Sequence, residues 1–557
     1  MEWKPIQEFT LRGTFGIYTQ TSNTDNYLPP EHTSFADYTD ENYFRRGSYD
    51  YSTNKSSRYN FSLTANYSKV FAEKHMVYAG LNMDLEDQGS RGYSFSVEGF
   101  PSGSLDFLSV AMQYKENGKP GGSESKSRRV GFVGNASYSF EDRYFVDASF
   151  RTDGSSLYGS DRRFAPFWSA GIGWNIHREG FMSDVDWINR LKIRASVGET
   201  GSNNFSSYEA MATYAYSLSD RYYNWMGANM KALANPDLEW QKTMKYNAGI
   251  EVNMLNNRLS MICDLYLERT NGLMSSLELP PSNGFSSYKA NIGKLENKGF
   301  ELKVTGYLLR DTERELIWSV TGSLVRNKDK IIELSEAMKE ANATLLETGG
   351  ATPNKIWQEG DSQNAIYAVR SLGIDPSNGR ELFLKKNGEV TYTWDANDRV
   401  FCGVDQPDYR GNINTMFMWK DLSVNLSFGY EWGGQQYNST LISRVENADK
   451  KYNVDRRVYE DRWKEPGDRT FFKGINETTA TQATSRFVQD EATFTCQNLN
   501  VTYDLKGNKW LKRNLGIQTL TLKGDIADLF RISTIKQERG TSYPFSRQFS
   551  FTLSAMF

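Results

Sequence analysis

The feature that most restricts this chain is an alternation of apolar and polar residues with a period of two, repeated from one end to the other. Tyr246, Ala248, Ile250, Val252 and Met254 alternate with Asn247, Gly249, Glu251 and Asn253. They pass through Asn256-Asn257 and continue as Leu259, Met261, Cys263, Leu265 and Leu267. That period sets successive side chains on opposite faces of an extended strand, one face apolar and the other wet. Phe9 to Ile17, Phe61 to Tyr67, Val77 to Met83, Val130 to Phe150, Phe164 to Ile176 and Leu191 to Val197 repeat it. So do Phe300 to Leu324, Ile413 to Trp432, Leu499 to Ile526 and the closing stretch Tyr543 to Phe557. About sixteen strands of about ten or more residues are expected, the length a tilted strand needs to cross a hydrocarbon layer.

The connections are sorted by parity. Tight links at 71–75, 141–143, 255–258, 310–314 and 420–421 alternate with long ones at 21–56, 88–126, 200–239, 272–294, 328–408 and 433–490. Short turns on one side and long loops on the other are the rule for outer-membrane barrels, whereas a soluble sandwich has no reason to sort its loops. A terminal Phe closing an alternating strand fits the same class. Hydrophobic residues make up only 38%, and no run approaches the roughly 18 apolar residues of a spanning helix. A barrel tolerates this because half of each strand faces a wet lumen. Aromatic residues at 14% suit the girdles at both membrane interfaces.

The expected fold is therefore all-β, a transmembrane antiparallel β-barrel in the outer membrane, with lipid against its apolar face. Within 422–432, Val424, Leu426 and Phe428 are expected to face lipid, and Asn425 and Ser427 the lumen. A net charge of -3 gives no reason to expect nucleic acid. Cys263, Cys402 and Cys496 are odd in number and far apart, so neither a disulfide framework nor a zinc site is indicated. Met1-Glu2-Trp3-Lys4-Pro5 has neither the basic nor the apolar region of a secretory signal. The chain is expected to be the C-terminal part of something longer.

Two long connections carry structure of their own. In 328–408, Ile331, Ile332, Leu334, Ala337, Met338 and Ala341 recur at helical spacing and predict a short amphipathic helix. Between Tyr367 and Tyr392, the Asn378-Gly379 and Asn387-Gly388 turns predict a small hairpin module. The connection 433–490 holds a polar stretch ending in Trp463-Lys464-Glu465-Pro466-Gly467-Asp468, read either as a solvated rim or as a partner contact.

Several stretches, in order, resemble the C-terminal barrel of SusC/RagA-type TonB-dependent transporters. They are Arg151 to Ser156 with Phe167 to Trp174, Leu191 to Gly198, Asn235 to Thr243, Asn256 to Leu259, Asn291 to Glu301, Asn327 to Ile331 and Trp463 to Asp468. The resemblance covers about residues 130 to 557. It implies a barrel of about 22 strands closed by an N-terminal plug, of which this chain, residues 1–557, supplies the C-terminal portion without the plug. It further implies a SusD-like surface lipoprotein as lid, a TonB–ExbB–ExbD complex pulling on the plug, and import of oligosaccharides or peptides. The form Tyr543-Pro544-Phe545 near the end departs from the Gln-Asn-Leu-Phe stretch of many members.

No catalytic constellation is present. His32, His75 and His177 are the only histidines, two near short turns and one in a long loop. Asp395, Asn397 and Asp398 lack the Gly and terminal Glu of a calcium loop. No metal, cofactor or enzymatic activity is expected. Binding chemistry is better supplied: Tyr214, Tyr216, Trp357 and Trp394 lie in long connections, and Arg221-Tyr222-Tyr223-Asn224-Trp225 is the densest cluster. Arg221, Tyr222, Tyr223, Trp225 and Trp394 are the candidate substrate contacts, with loop packing or lid contact as the alternative. Two other functions fit the alternation alone: a passive porin, since about sixteen strands leave an aqueous channel, and a non-transporting surface barrel.

Overall fold

Backbone pairing, not a packed interior, organises this molecule. The computed structural model describes residues 1–202, 207–223, 225–278, 285, 287–291, 293–347, 349–449, 451, 453–507, 509–536 and 547–557, with only the backbone at 217–222, 274–278, 287–290, 337, 341 and 344. Among the described residues sixteen long strands form the wall. They are β1 (Phe9–Leu28), β2 (Ser48–Phe71), β3 (His75–Glu98), β4 (Gly121–Phe140), β5 (Tyr144–Ser155), β6 (Phe164–Asn175), β7 (Ile188–Ser202) and β8 (Gln241–Met254). The series continues with β9 (Leu259–Asn271), β10 (Gly293–Asp311), β11 (Leu316–Leu334), β12 (Tyr409–Trp419), β13 (Leu422–Tyr437), β14 (Val488–Lys506), β15 (Thr519–Ser533) and β16 (Gln548–Met556). They belong to one 18-stranded sheet, whose other members, Glu2–Ile6 and Gln113–Tyr114, are short edge pieces. Each wall strand pairs antiparallel with its successor. The result is an uninterrupted meander, the β-barrel fold expected from the alternation. Of the closing stretch, 543–546 lies outside the described residues.

The two faces separate as the period requires. Across β12 and β13, Ile413 opposes Phe428, Thr415 opposes Leu426 and Phe417 opposes Val424. On the other face Asn414 opposes Ser427 and Met416 opposes Asn425. Ser427 Oγ donates to Asn414 Oδ1 at 2.6 Å, while Phe428 stacks on Phe494 with centroids 5.5 Å apart. The polar row continues through Asn500, whose amide donates to Asp525.

Short turns close one end of the wall. Ala72 and Glu73 (φ 48° and 59°) and Glu141 and Asp142 (φ 50° and 53°) lie in the left-handed region. Each turn is closed by a backbone bond, Lys74 N–H to Phe71 O and Arg143 N–H to Phe140 O. Two left-handed residues in succession twist a hairpin the way its strands already twist. The long connections gather at the other end, and several are shorter than the alternation implied. β1 to β4 have 20, 24, 24 and 20 residues, well beyond the about 9–11 a crossing needs. Consequently the expected loops 21–56 and 88–126 shrink to 29–47 and 99–120, and 328–408 and 433–490 become 335–408 and 438–487.

The helix expected from Ile331 begins later, as α1 (Glu336–Glu347). Ile331, Ile332 and Leu334 instead complete β11. A register shift there pairs Leu295 with Ile331 and Lys294 with Glu333, leaving Ile332 as an extra residue. The bulge lets Ile331 and Leu334, three apart, share one buried face with Leu295 and Met338, imitating helical spacing. The hairpin module is present as a four-stranded sheet of Ala365–Ile374, Glu381–Leu384, Val390–Thr391 and Arg399–Val404. All four hydrophobic clusters among the described residues lie at the long-connection end, not along the middle of the wall.

The phase of β13 gives an expected outcome. Leu426→Arg should destabilise the membrane-embedded chain by about 2–4 kcal/mol, whereas Asn425→Arg on the polar face should cost little. Denaturant unfolding in lipid vesicles, followed by tryptophan fluorescence, checks the ranking.

Candidate functional site

The longest connections, 335–408 and 438–487, fold into one body around a buried guanidinium. Arg486 donates to both oxygens of Glu381, Nε to Oε1 at 3.0 Å and Nη2 to Oε2 at 2.6 Å. Its Nη2 also meets Glu446 Oε1 at 3.0 Å and Oε2 at 2.9 Å. The three side chains are 4%, 6% and 0% exposed. Glu381 comes from the four-stranded sheet, and Glu446 closes the turn Ile442–Glu446. Arg462 donates to the carbonyls of Val445 and Glu446, and Lys473 N–H donates to Glu446 Oε1 at 3.1 Å. Around these ions pack Leu441, Ile442, Val445, Val458, Phe472 and Phe487. Burial pulls the Arg486 guanidinium down, but Glu381 and Glu446 outweigh it and hold the group above its ordinary value. Burial lowers Arg462 and the Lys473 ammonium.

Tryptophans pin the same body together. Trp463 Nε1 donates to Pro376 O at 2.9 Å. Its ring covers Gly379, where a Cβ would come within 2.4 Å of the indole. With φ at +72°, Gly379 is required twice, for the turn and for the ring. Asp468 accepts from the amides of Lys464 and Glu465 and fixes the turn behind Trp463. Trp394 donates from Nε1 to Ala483 O at 3.1 Å and lies under Arg399 at 5.4 Å. Trp357 is held through its backbone by Asn342 and packs against the cluster of Leu295, Ile331, Leu334 and Met338.

A second feature is a ribbon, Thr213–Tyr222 paired with Trp225–Ala232. Backbone register sets Tyr222 opposite Trp225 and Arg221 opposite Met226. Tyr223 and Trp225 at the tip are 86% and 77% exposed, and Tyr214 and Tyr216 are open along one edge. The side chains of Arg221 and Tyr222, and Asn224 altogether, lie outside the described residues. Of the five candidate contacts, then, Tyr223 and Trp225 stand open on the ribbon, while Trp394 sits in the other body with its indole N–H committed. Sequence reasoning missed Arg486, Glu381, Glu446 and Arg462, and no local spacing could have revealed a pair 105 residues apart.

The polar face of the wall carries charges of both signs in close pairs. Arg194 Nη2 bridges both oxygens of Asp264 at 2.7 Å across Gly249, where a Cβ would meet the carboxylate at 2.4 Å. Lys245 pairs with Glu268 and Lys523 with Asp525. His75 Nδ1 meets the Tyr138 hydroxyl, His177 Nδ1 meets Leu191 O, and His32 Nδ1 accepts from Ser34 N–H, in three separate places. Asp395 caps the turn Ala396–Asp398, and Asp398 accepts from Lys386 N–H. The arrangement suits recognition and passage of polar molecules along a charged, hydrogen-bonding surface.

Comparison with known proteins agrees with this geometry. Residues 2–336 match the family model described as TonB dependent receptor-like, beta-barrel. The chain is similar to TonB-dependent receptor P3 of Formosa agariphila, 29% identical over 63% of this chain and 37% of that protein. It is similar to TonB-dependent receptor P39 of the same organism, 24% identical over 84% of this chain and 48% of that protein. TonB-dependent receptor SusC of Bacteroides thetaiotaomicron is 27% identical over 58% of this chain and 33% of that protein. Among solved structures, that of the RagAB peptide transporter superposes with a TM-score of 0.81 at 23% identity, covering 96% of this chain and 57% of that one. The chain thus spans about half the length, or less, of the curated relatives it matches.

Two outcomes follow for the ionic body. Arg486→Ala leaves two buried carboxylates without their partner and should cost about 3–5 kcal/mol of local stability. Limited proteolysis should then cut within 335–408 and 438–487 while the wall stays intact. Asp455 is held down to about 2 from 3.8, chiefly by its hydrogen bond from Arg457. A lowered carboxylate stabilises above its unfolded value and loses that contribution as pH falls through its folded one. Hydrogen exchange at Arg457–Glu460 should be slower in the parent than in Asp455→Asn above about pH 4, with the difference vanishing toward about pH 2.

Proposed function

The chain belongs to the TonB-dependent receptor β-barrel family, and from that premise we propose that it forms the C-terminal part of a SusC/RagA-type importer in the Gram-negative outer membrane. In this reading oligosaccharides or peptides pass along the charged inner face, and a plug coupled to TonB–ExbB–ExbD gates the passage. A SusD-like surface lipoprotein closes over the long-connection end and traps cargo beneath it. Arg221, Tyr222, Tyr223, Trp225 and Trp394 are proposed as cargo or lid contacts.

The observation that carries this reading is the folded rim. Pairing of the wall strands does not require these connections to be ordered, yet 335–408 and 438–487 bury their own ionic and hydrophobic core. Connections of that length with internal structure are commonly functional. The ribbon with open Tyr223 and Trp225 adds aromatic surface of the type enriched in binding hot spots. Both cargo classes suit such a surface, since aromatic faces and paired charges serve sugars and peptide backbones alike.

Shortening either 333–400 or 440–485 should weaken lid capture and leave wall assembly nearly intact, because each deletion removes one side of the ionic body. Co-purification of a tagged SusD-like lipoprotein with each deletion variant in the full-length receptor checks this. Undiminished recovery from both would remove these connections from the interface. Porin-like conductance of the assembled receptor would favour the passive reading.

A further inference from the structure

The outward face of β1–β6 changes character along one line. Pairing joins Phe15, Phe61, Leu85, Val130, Gly154 and Phe164 into a single row across the six strands. Toward the short turns the same face carries Leu63, Leu81, Met83 and Phe132. On β3 this apolar stretch runs from Val77 to Leu85, matching the about 9–11 residues of a membrane crossing. The next row outward is Ile17, Tyr59, Asp87 and Arg128, and the one beyond it ends on Lys126. Cations therefore begin where the apolar layer stops, at the level of lipid head groups.

At that step lies a groove of about 520 Å³, with Phe15, Phe61, Leu85, Val130 and Phe164 as its floor and wall and Arg128 and Arg163 at its edge. Gly154 makes room for it. A Cβ there would sit 2.5 Å from the Phe164 ring, so only glycine lets that ring lie against the sheet. Asp87 Oδ2 accepts from Arg128 Nε at 2.9 Å and lies 3.7 Å from Lys126 Nζ, orienting both cations. The backbone of Arg128 is fixed by Ser156, whose hydroxyl accepts its N–H and whose own N–H donates to its carbonyl, both at 2.9 Å. Arg163 has no carboxylate partner among the described residues. Arg129 also lines the groove, 3.6 Å from Glu86, so three guanidinium groups line it against the two carboxylates Asp87 and Glu86, with Lys126 beside them, while Glu124 farther out is paired with Arg91.

We infer that this groove binds an anionic lipid, with a phosphorylated head group on Arg128, Lys126 and Arg163 and acyl chains laid over Phe61 and Leu85. Guanidinium groups bind phosphate oxygens in paired, charge-assisted hydrogen bonds. The apolar floor, continuous with the lipid-facing wall, selects an amphiphile over a free anion, which would leave that floor uncovered. This site lies on the outside of the wall and is independent of cargo and lid.

The test is native mass spectrometry of the chain extracted from membranes in mild detergent. It is titrated with a bisphosphorylated glycolipid, with the same lipid after dephosphorylation, and with inorganic phosphate. The phosphorylated lipid should bind at least about tenfold more tightly than its dephosphorylated form. Arg128→Ala with Arg163→Ala should abolish that preference while leaving affinity for the dephosphorylated lipid unchanged, which also reports that the groove is intact. Equal affinity for the two lipids would overturn the inference. So would a preference that survives the double substitution, loss of both lipids together, or competition by inorganic phosphate at the lipid's own concentration.

Discussion

Inside a hydrocarbon layer the backbone has no water to turn to, and each unpaired amide or carbonyl there costs several kcal/mol. Most of this molecule follows from that constraint. Each wall strand pairs with the next in sequence, so among the described residues the topology is a meander without crossings. A period of two then divides the wall into a face for lipid and a face for water. Because the hydrogen bonds hold the wall without a filled interior, its polar face is free to carry pairs such as Arg194 with Asp264.

Outside the wall, the long connections have a source of stability of their own. Glu381, Glu446 and Arg486 are buried together, and a buried ion group of this kind is strongly destabilising once broken although it contributes little over an apolar replacement. Its effect is specificity: only one arrangement of 335–408 on 438–487 satisfies all three charges. Trp463 over Gly379 and Trp394 against Ala483 add shape to the same choice. The rim is therefore preassembled, and a molecule docking on it would meet a surface that is already ordered.

The wall was legible because its rule is local. Val424 to Phe428 shows its phase in five consecutive residues, and the ladder enforces it. Where local pattern and tertiary pairing diverge, the reading diverges too. The bulge at Ile332 places Ile331 and Leu334 on one face and mimics a helix turn. The turns at Ala72-Glu73 and Glu141-Asp142 adopt left-handed backbone without the Asn-Gly that would announce it. In the rim, Asn378-Gly379 was visible as a turn and Trp463 to Asp468 as the end of a polar stretch, but their meeting was not. Arg486 looks like any surface arginine until Glu381 and Glu446 are brought to it. The open aromatic tip at Tyr223 and Trp225 was legible as composition, and its exposure only from the ribbon that carries it.

The two longest connections form one body through Arg486. A double-mutant cycle between Glu381→Ala and Arg486→Ala, read by native-state hydrogen exchange at residues 365–374, tests it most directly. Strong coupling of about 2–3 kcal/mol, at the upper end for residues sharing one ion network, is the predicted result. Additive effects to within about 0.5 kcal/mol would contradict it and return the two connections to independent loops.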